Sequence, residues 1–164
     1  MRFAQIREYD VANGPGVRTT IFVTGCTIGC KNCFNSEYQD FNYGSIWTQE
    51  VTDKLIENLA KPQVEGLTIL GGEPFDNAKD LSEIVPYIRK NTKKSIWIYS
   101  GYVYDKLILN EDAKTILENC DVLVDGPFIE RRKDLKLKFR GSSNQRIIDL
   151  KATLKANRVI NLNI

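Results

Sequence analysis

Val17-Arg-Thr-Thr-Ile-Phe-Val-Thr-Gly-Cys-Thr-Ile-Gly-Cys-Lys-Asn-Cys-Phe34 runs from a β-rich apolar stretch directly into a loop with three cysteines. Val17–Thr24 reads as a strand, and Cys26, Cys30 and Cys33 follow it at C-x3-C-x2-C spacing. Three thiolates on a four-coordinate metal or a cubane cluster leave one position open, and an open position suits chemistry better than scaffolding. The alternatives are a structural zinc site or free thiols. Structural zinc takes four ligands, and the chain has no histidine to complete the set. The fourth thiol, Cys120, falls in phase with Ala113, Ile116 and Leu117 on an apolar helix face, where free cysteine acts as a small hydrophobe. Gly25 and Gly29 suit a tight loop around a bulky inorganic core. The loop therefore predicts an iron–sulfur cluster held by Cys26, Cys30 and Cys33.

Outward from this loop, strands alternate with helical periods. Thr48 is placed to cap a helix burying Val51, Leu55, Ile56 and Leu59. Gly66–Leu70 is a second strand ending in Gly71-Gly-Glu-Pro74, and a helix with Leu81, Ile84, Val85 and Ile88 on one face follows. Pro86 lies inside that period and is expected to kink or shorten the helix. Ser95–Tyr99 and Val122–Val124 are further strands, flanking the helix that carries Cys120. Ile147–Leu154 fits strand or helix, while Ile160, Leu162 and Ile164 alternate like a last strand. Such alternation with short connections predicts an α/β fold with a mostly parallel sheet, open or part of a barrel. Ligands gather at the C-terminal ends of parallel strands, and every suspicious motif in the chain lies at such an end.

The 164 residues, 42% hydrophobic and 27% charged, predict one domain over 1–164 with a core that needs no disulfides. No apolar run approaches the roughly 18 residues of a membrane span, and Met1–Glu8 lacks the pattern of a signal peptide. A cytoplasmic protein is expected, where clustered cysteines bind metal more often than they pair. Net charge is only +2, and no direct nucleic-acid partner is expected. From Glu130 onward, however, ten basic residues from Arg131 to Arg158 face only Glu130, Asp134 and Asp149. That bias suits an acidic partner or phosphate, or simply a solvated surface.

The remaining motifs are modest singly. Gly71-Gly72-Glu73-Pro74 reads as a turn, or as backbone freed for a ligand with Glu73 held extended by the following proline. Ser100 offers a hydroxyl and Gly101 an amide in Tyr99-Ser-Gly-Tyr102. Asp125 in Asp125-Gly-Pro-Phe128 caps or turns. Arg140-Gly-Ser-Ser-Asn-Gln-Arg146 is dense in donors.

Taken together and in order, the cysteine loop and the Gly-Gly-Glu-Pro turn resemble the radical S-adenosylmethionine superfamily. Asn13-Gly-Pro-Gly-Val-Arg-Thr-Thr-Ile-Phe22 is similar to its glycyl-radical activating enzymes. Cys33-Phe-Asn35, Trp97–Tyr102, Val124–Phe128 and Arg140–Gln145 resemble, within these, the activating proteins of anaerobic ribonucleotide reductases. The likeness spans roughly residues 10 to 150. It implies an abbreviated, open partial (β/α) barrel and a 4Fe-4S cluster whose free iron takes the amino and carboxylate groups of S-adenosylmethionine. It implies reductive cleavage to methionine and a 5′-deoxyadenosyl radical, which takes hydrogen from a glycine of the glycyl-radical reductase large subunit. An electron donor such as flavodoxin completes the implied partners. Cofactor contacts are implied at Gly71, Gly72, Glu73, Ser100, Gly101, Asp125 and Asn32. Asn32 stands where many superfamily members place an aromatic residue, and a small residue there is similar to the reductase activators. The same loop also serves radical enzymes acting on small molecules, and a non-catalytic metal-binding module or electron carrier is the remaining alternative.

Overall fold

The computed structural model describes residues 1–164. Seven strands form one sheet: β1 (Arg2–Asp10), β2 (Arg18–Val23), β3 (Ser45–Ile46), β4 (Gly66–Gly71), β5 (Ser95–Tyr99), β6 (Val122–Asp125) and β7 (Arg146–Asp149). Their order across the sheet is β3-β1-β2-β4-β5-β6-β7. Five helices accompany them: α1 (Gln49–Leu59), α2 (Ala78–Asn91), α3 (Tyr104–Leu107), α4 (Glu111–Glu118) and α5 (Leu150–Ala156). No helix is long and apolar enough to cross a membrane.

The sheet is mixed, which corrects the expectation of a mostly parallel one. The pairings β2–β4, β4–β5 and β5–β6 are parallel, whereas β1–β2, β1–β3 and β6–β7 are antiparallel. The cause is the connections. A parallel return needs a crossover of a dozen or more residues, usually with a helix, and only the β2–β4, β4–β5 and β5–β6 links contain one. Residues 11–17 between β1 and β2 are too few for a crossover. The segment 126–145 is long enough but carries no α-helix, so β7 runs back beside β6.

Alternation along the strands sorts side chains to two unlike faces. Ile21, Val23, Leu67, Ile69, Ile96, Ile98, Leu123 and Ile148 join the main core with Leu55 and Leu59 of α1, Leu81, Val85 and Ile88 of α2, and Ile116 and Leu117 of α4. The opposite face holds only a small cluster of Trp97, Val122 and Val124. Helices therefore cover one face, and the other is left for a site. Caps set the helix starts: Thr48 accepts from Val51 N as expected, Asn110 from Ala113 N, and Asp149 from Ala152 N. The ambiguous stretch Ile147–Leu154 is both elements, β7 and then α5, with Asp149 as the hinge.

Two local expectations differ from the structure. Helix α2 continues through Pro86 to Asn91, because burial of Leu81, Val85 and Ile88 on both sides of the proline offsets a cost of about 3 kcal/mol. Ile160, Leu162 and Ile164 form no strand. Only a bridge between Asn161 and Ile148 ties that segment to β7.

Arg18 is buried on the helix-free face with no carboxylate in ion-pair range. Its guanidinium donates to Thr68 Oγ1 at 2.9 Å, Leu67 O at 2.9 Å, Ser95 Oγ at 3.0 Å, Ser95 O at 3.1 Å and Pro15 O at 3.3 Å. Burial pulls its pKa down to about 10. One planar fork thus fastens the starts of β2, β4 and β5. An ammonium cannot reach acceptors spread so widely. Arg18→Lys is expected to lower stability by about 2 kcal/mol, measured as a fall in the urea midpoint at unchanged slope.

Candidate functional site

The cysteine loop leaves β2 between two neighbours that hold it. Gly25 N donates to Tyr38 O at 2.8 Å, Cys26 N to Gln39 O at 3.0 Å, and Gly25 O accepts from Glu73 N at 2.8 Å. Gly25 has φ +100°, and a Cβ there would fall 2.2 Å from the Phe41 ring, so glycine is required. Thr27, just after Cys26, is pinned as well. Asp76 Oδ2 accepts from Thr27 N at 2.7 Å and Thr27 Oγ1 at 3.0 Å, while Asp76 Oδ1 accepts from Tyr102 Oη at 2.7 Å. Neither Asp76 nor Thr27 stood out in the sequence, since nothing local pairs positions 27, 76 and 102. Beyond them the loop opens: Cys26, Cys30 and Cys33 are each half-buried, with free thiols.

The Gly71-Gly72 pair has a packing reason. Gly71 has φ +122° and a Cβ there would lie 2.2 Å from Val23 O; at Gly72 it would lie 2.5 Å from Tyr38 O. These close approaches seat the turn against the cysteine loop. The amides of Gly72 and Glu73 are already donated to Val23 O and Gly25 O, so they are not free donors.

Glu73 is buried and organises the turn after β5. Its Oε2 accepts from Phe75 N and Ser100 Oγ, each at 2.9 Å, and its Oε1 accepts from Gly101 N at 2.6 Å. Burial pushes its pKa up to about 7, against the three donors, with nearby Asp76 adding to the rise. The Ser100 hydroxyl and Gly101 amide, read in the sequence as offered to a ligand, are thus committed to Glu73. Burial also raises the Cys26 thiol; amides of Ile28 and Gly29 oppose this, while Glu73 and Asp76 add to it.

Cys26, Cys30, Cys33, Gly71, Gly72, Glu73, Ser100 and Gly101 all line one cavity of about 620 Å³. It lies at the C-terminal ends of β2, β4 and β5 and over the helix-free face, where Phe22, Leu70 and Tyr99 form its floor. Two expected residues stand apart. Asn32 is exposed, with a left-handed φ of 53°. Asp125 is buried below the rim, where it accepts from Tyr104 N at 2.7 Å and from Arg146 Nε and Nη2 at 3.0 and 2.7 Å. That bidentate pair fastens β6 to β7, and the Arg146 partner 21 residues away left no signal in the sequence. Phe128, the end of the Asp125-Gly-Pro-Phe motif, lines the cavity too, as do Arg7 and Leu135, which the sequence did not single out.

No three Cys, Asp or Glu side chains converge closely enough to hold a single metal ion. The three thiols instead border a common space. A donor set of three thiols on one cavity, with no imidazole in the chain, fits an iron–sulfur cluster.

Known proteins resemble this chain over most of its length. A family model described as a 4Fe-4S single cluster domain matches residues 12–148. An anaerobic ribonucleoside-triphosphate reductase-activating protein from Vibrio cholerae is 38% identical over 151 residues, covering 88% of this chain and 96% of the relative. Proteins of the same name from Escherichia coli K12 and from phage T4 are 36% and 34% identical, over 88% and 90% of this chain and 96% and 93% of the relatives.

Proposed function

Because the chain belongs to the family of anaerobic ribonucleoside-triphosphate reductase-activating proteins and carries its 4Fe-4S single cluster domain, we propose that residues 1–164 form one radical S-adenosylmethionine activase domain. The observation that carries this is the gathering of three thiols and two glycine turns on one cavity at the ends of three parallel strands. The open sheet with helices on one face is consistent with an abbreviated partial barrel, whose unclosed side admits a macromolecular substrate.

Cys26, Cys30 and Cys33 would hold the cluster, and one iron would be left for S-adenosylmethionine. The reduced cluster would supply one electron to the sulfonium of S-adenosylmethionine, breaking a carbon–sulfur bond to give methionine and a 5′-deoxyadenosyl radical that takes a hydrogen atom from a glycine of the reductase. The chain's own part is binding and exclusion. Glu73 fixes the Ser100-Gly101 turn against the cysteine loop, and Asp76 with Tyr102 holds Thr27 so that Cys26 presents its thiol to the cavity. Gly71 and Gly72 seat the turn that carries Glu73 tightly against the cysteine loop, which shapes the cavity wall toward the methionine end. Phe22, Leu70 and Tyr99 supply an apolar floor that limits water around a reactive species. Asp125 and Asn32 act indirectly, the first through the β6–β7 junction and the second through the loop turn before Cys33. An acidic one-electron donor such as flavodoxin is the reductant.

The test is anaerobic incubation of the reconstituted protein with reductant, S-adenosylmethionine and the reductase. A doublet organic radical on the reductase, with 5′-deoxyadenosine formed, is expected. An intact reduced cluster that gives neither would overturn the proposal.

A further inference from the structure

The segment 128–145 between β6 and β7 is a built strap. Lys133 bridges Ser142, Ser143 N donates to Arg132 O at 2.9 Å, and Gln145 Oε1 accepts from Gly141 N at 2.8 Å and Ser142 N at 3.1 Å. Phe139 anchors it to β5. Its carbonyl accepts from Tyr99 Oη at 2.6 Å, and its ring meets Trp97 edge-on at 5.6 Å. Phe139 has φ +61°, a conformation a bulky residue adopts only where its surroundings hold it. The strap also touches the cysteine loop, since the rings of Phe128 and Phe34 are 4.7 Å apart and Phe34 follows Cys33.

Two unlike edges result. Leu135, Leu137 and Phe139 line the cavity at alternate positions, yet Leu135 is 84% exposed and Phe34 is 59% exposed. Between them Lys136 and Lys138 stay exposed and do not line the cavity. Six basic residues in 130–140 face only Glu130 and Asp134, and none of the six makes an ion pair with a carboxylate. Arg7 and Arg140 line the cavity and would serve a small anion there, whereas Lys136 and Lys138 lie outside its lining. Cations on an outer ridge beside a fixed apolar lip instead fit a ligand larger than the cavity.

Resting on the activase reading, we propose that the strap is the docking lip for the reductase. It receives an extended segment of that partner in which an apolar side chain, flanked by carboxylates, packs on Leu135 and Phe34. The carboxylates meet Lys136 and Lys138, so the segment is aligned beside Cys33 before any chemistry. Leu135 supplies contact area and the lysines supply steering and register.

The experiment compares the parent with Lys136→Glu/Lys138→Glu and, separately, with Leu135→Ser. Affinity for the reductase is measured anaerobically at low and high salt, alongside partner-free cleavage of S-adenosylmethionine by the double variant. Both variants are expected to bind the reductase on the order of tenfold more weakly. The double variant should also lose the salt dependence of the parent while cleaving S-adenosylmethionine at the parental rate. Parental affinity and salt dependence in the double variant would overturn the inference. So would slower reduction by flavodoxin with reductase binding intact, which would make the lip a donor site. Binding is read independently of cleavage. A parent that binds in this charge-dependent way but cleaves nothing retains the docking lip and removes only the activase reading.

Discussion

Alanine at any one of Cys26, Cys30 or Cys33 is expected to reduce S-adenosylmethionine cleavage to background and to prevent assembly of a stable 4Fe-4S cluster. Two thiolates cannot complete a set of three, and the absence of histidine leaves no neighbouring imidazole to substitute. The fold should survive. All three side chains are half-buried in a loop and belong to neither core cluster. Cys120→Ser serves as the contrast, because that thiol is buried in the core and burial raises its pKa; it should retain the cluster. Iron and sulfide counts after anaerobic reconstitution, paired with a thermal melt of the metal-free proteins, separate loss of ligand from loss of fold. Cleavage retained by any one of the three alanine variants would remove that residue from the ligand set.

Replacing Glu73 by Ala should cost roughly 3–5 kcal/mol, the sum for leaving the Phe75 and Gly101 amides and the Ser100 hydroxyl without their shared acceptor. Glu73→Gln keeps one carbonyl acceptor and should cost less. The same carboxyl gives a pH signature. Burial raises its pKa in the folded state to about 7 from an ordinary 4.5, so the folded protein holds the proton more tightly than the unfolded chain. The part of its contribution linked to this proton is therefore complete below about pH 4.5, falls as pH rises toward 7, and is lost above it, while the three hydrogen bonds remain. The change amounts to about 3 kcal/mol. Urea unfolding of the metal-free protein across this range should show it, and Glu73→Gln should flatten the slope. An equal slope in both proteins would mean that Glu73 does not titrate in this window.

Residues with strong periodicity showed their place in the sequence before any geometry. Ile21 and Val23, Leu67 and Ile69, and Ile96 and Ile98 alternate toward the helices, and each of those strands ends in a motif that the fold brings to one cavity. Strand β1 escaped because Phe3, Ile6 and the exposed Tyr9 do not alternate and its residues are mostly half-exposed. Strand direction escaped at β7 because periodicity reports faces, while direction depends on whether the connection crosses over. Within the site, residue types pointed to the thiols and to Glu73, but hydrogen-bond commitments are long-range. That Ser100 and Gly101 serve Glu73, and Asp125 serves Arg146, follows only once β4, β5, β6 and β7 lie side by side. The strap gave a charge bias and the donor-rich run Arg140–Gln145, but not its apolar lip, which depends on the anchor between Phe139 and β5.

In the proposed function, Cys26, Cys30 and Cys33 would hold a cluster with one iron open to S-adenosylmethionine. Electron paramagnetic resonance of the anaerobically reconstituted, dithionite-reduced protein, with and without that cofactor, tests it most directly. A reduced 4Fe-4S signal that changes on adding S-adenosylmethionine is the expected result. A full complement of zinc with no such signal, or a cluster signal indifferent to the cofactor, would contradict it.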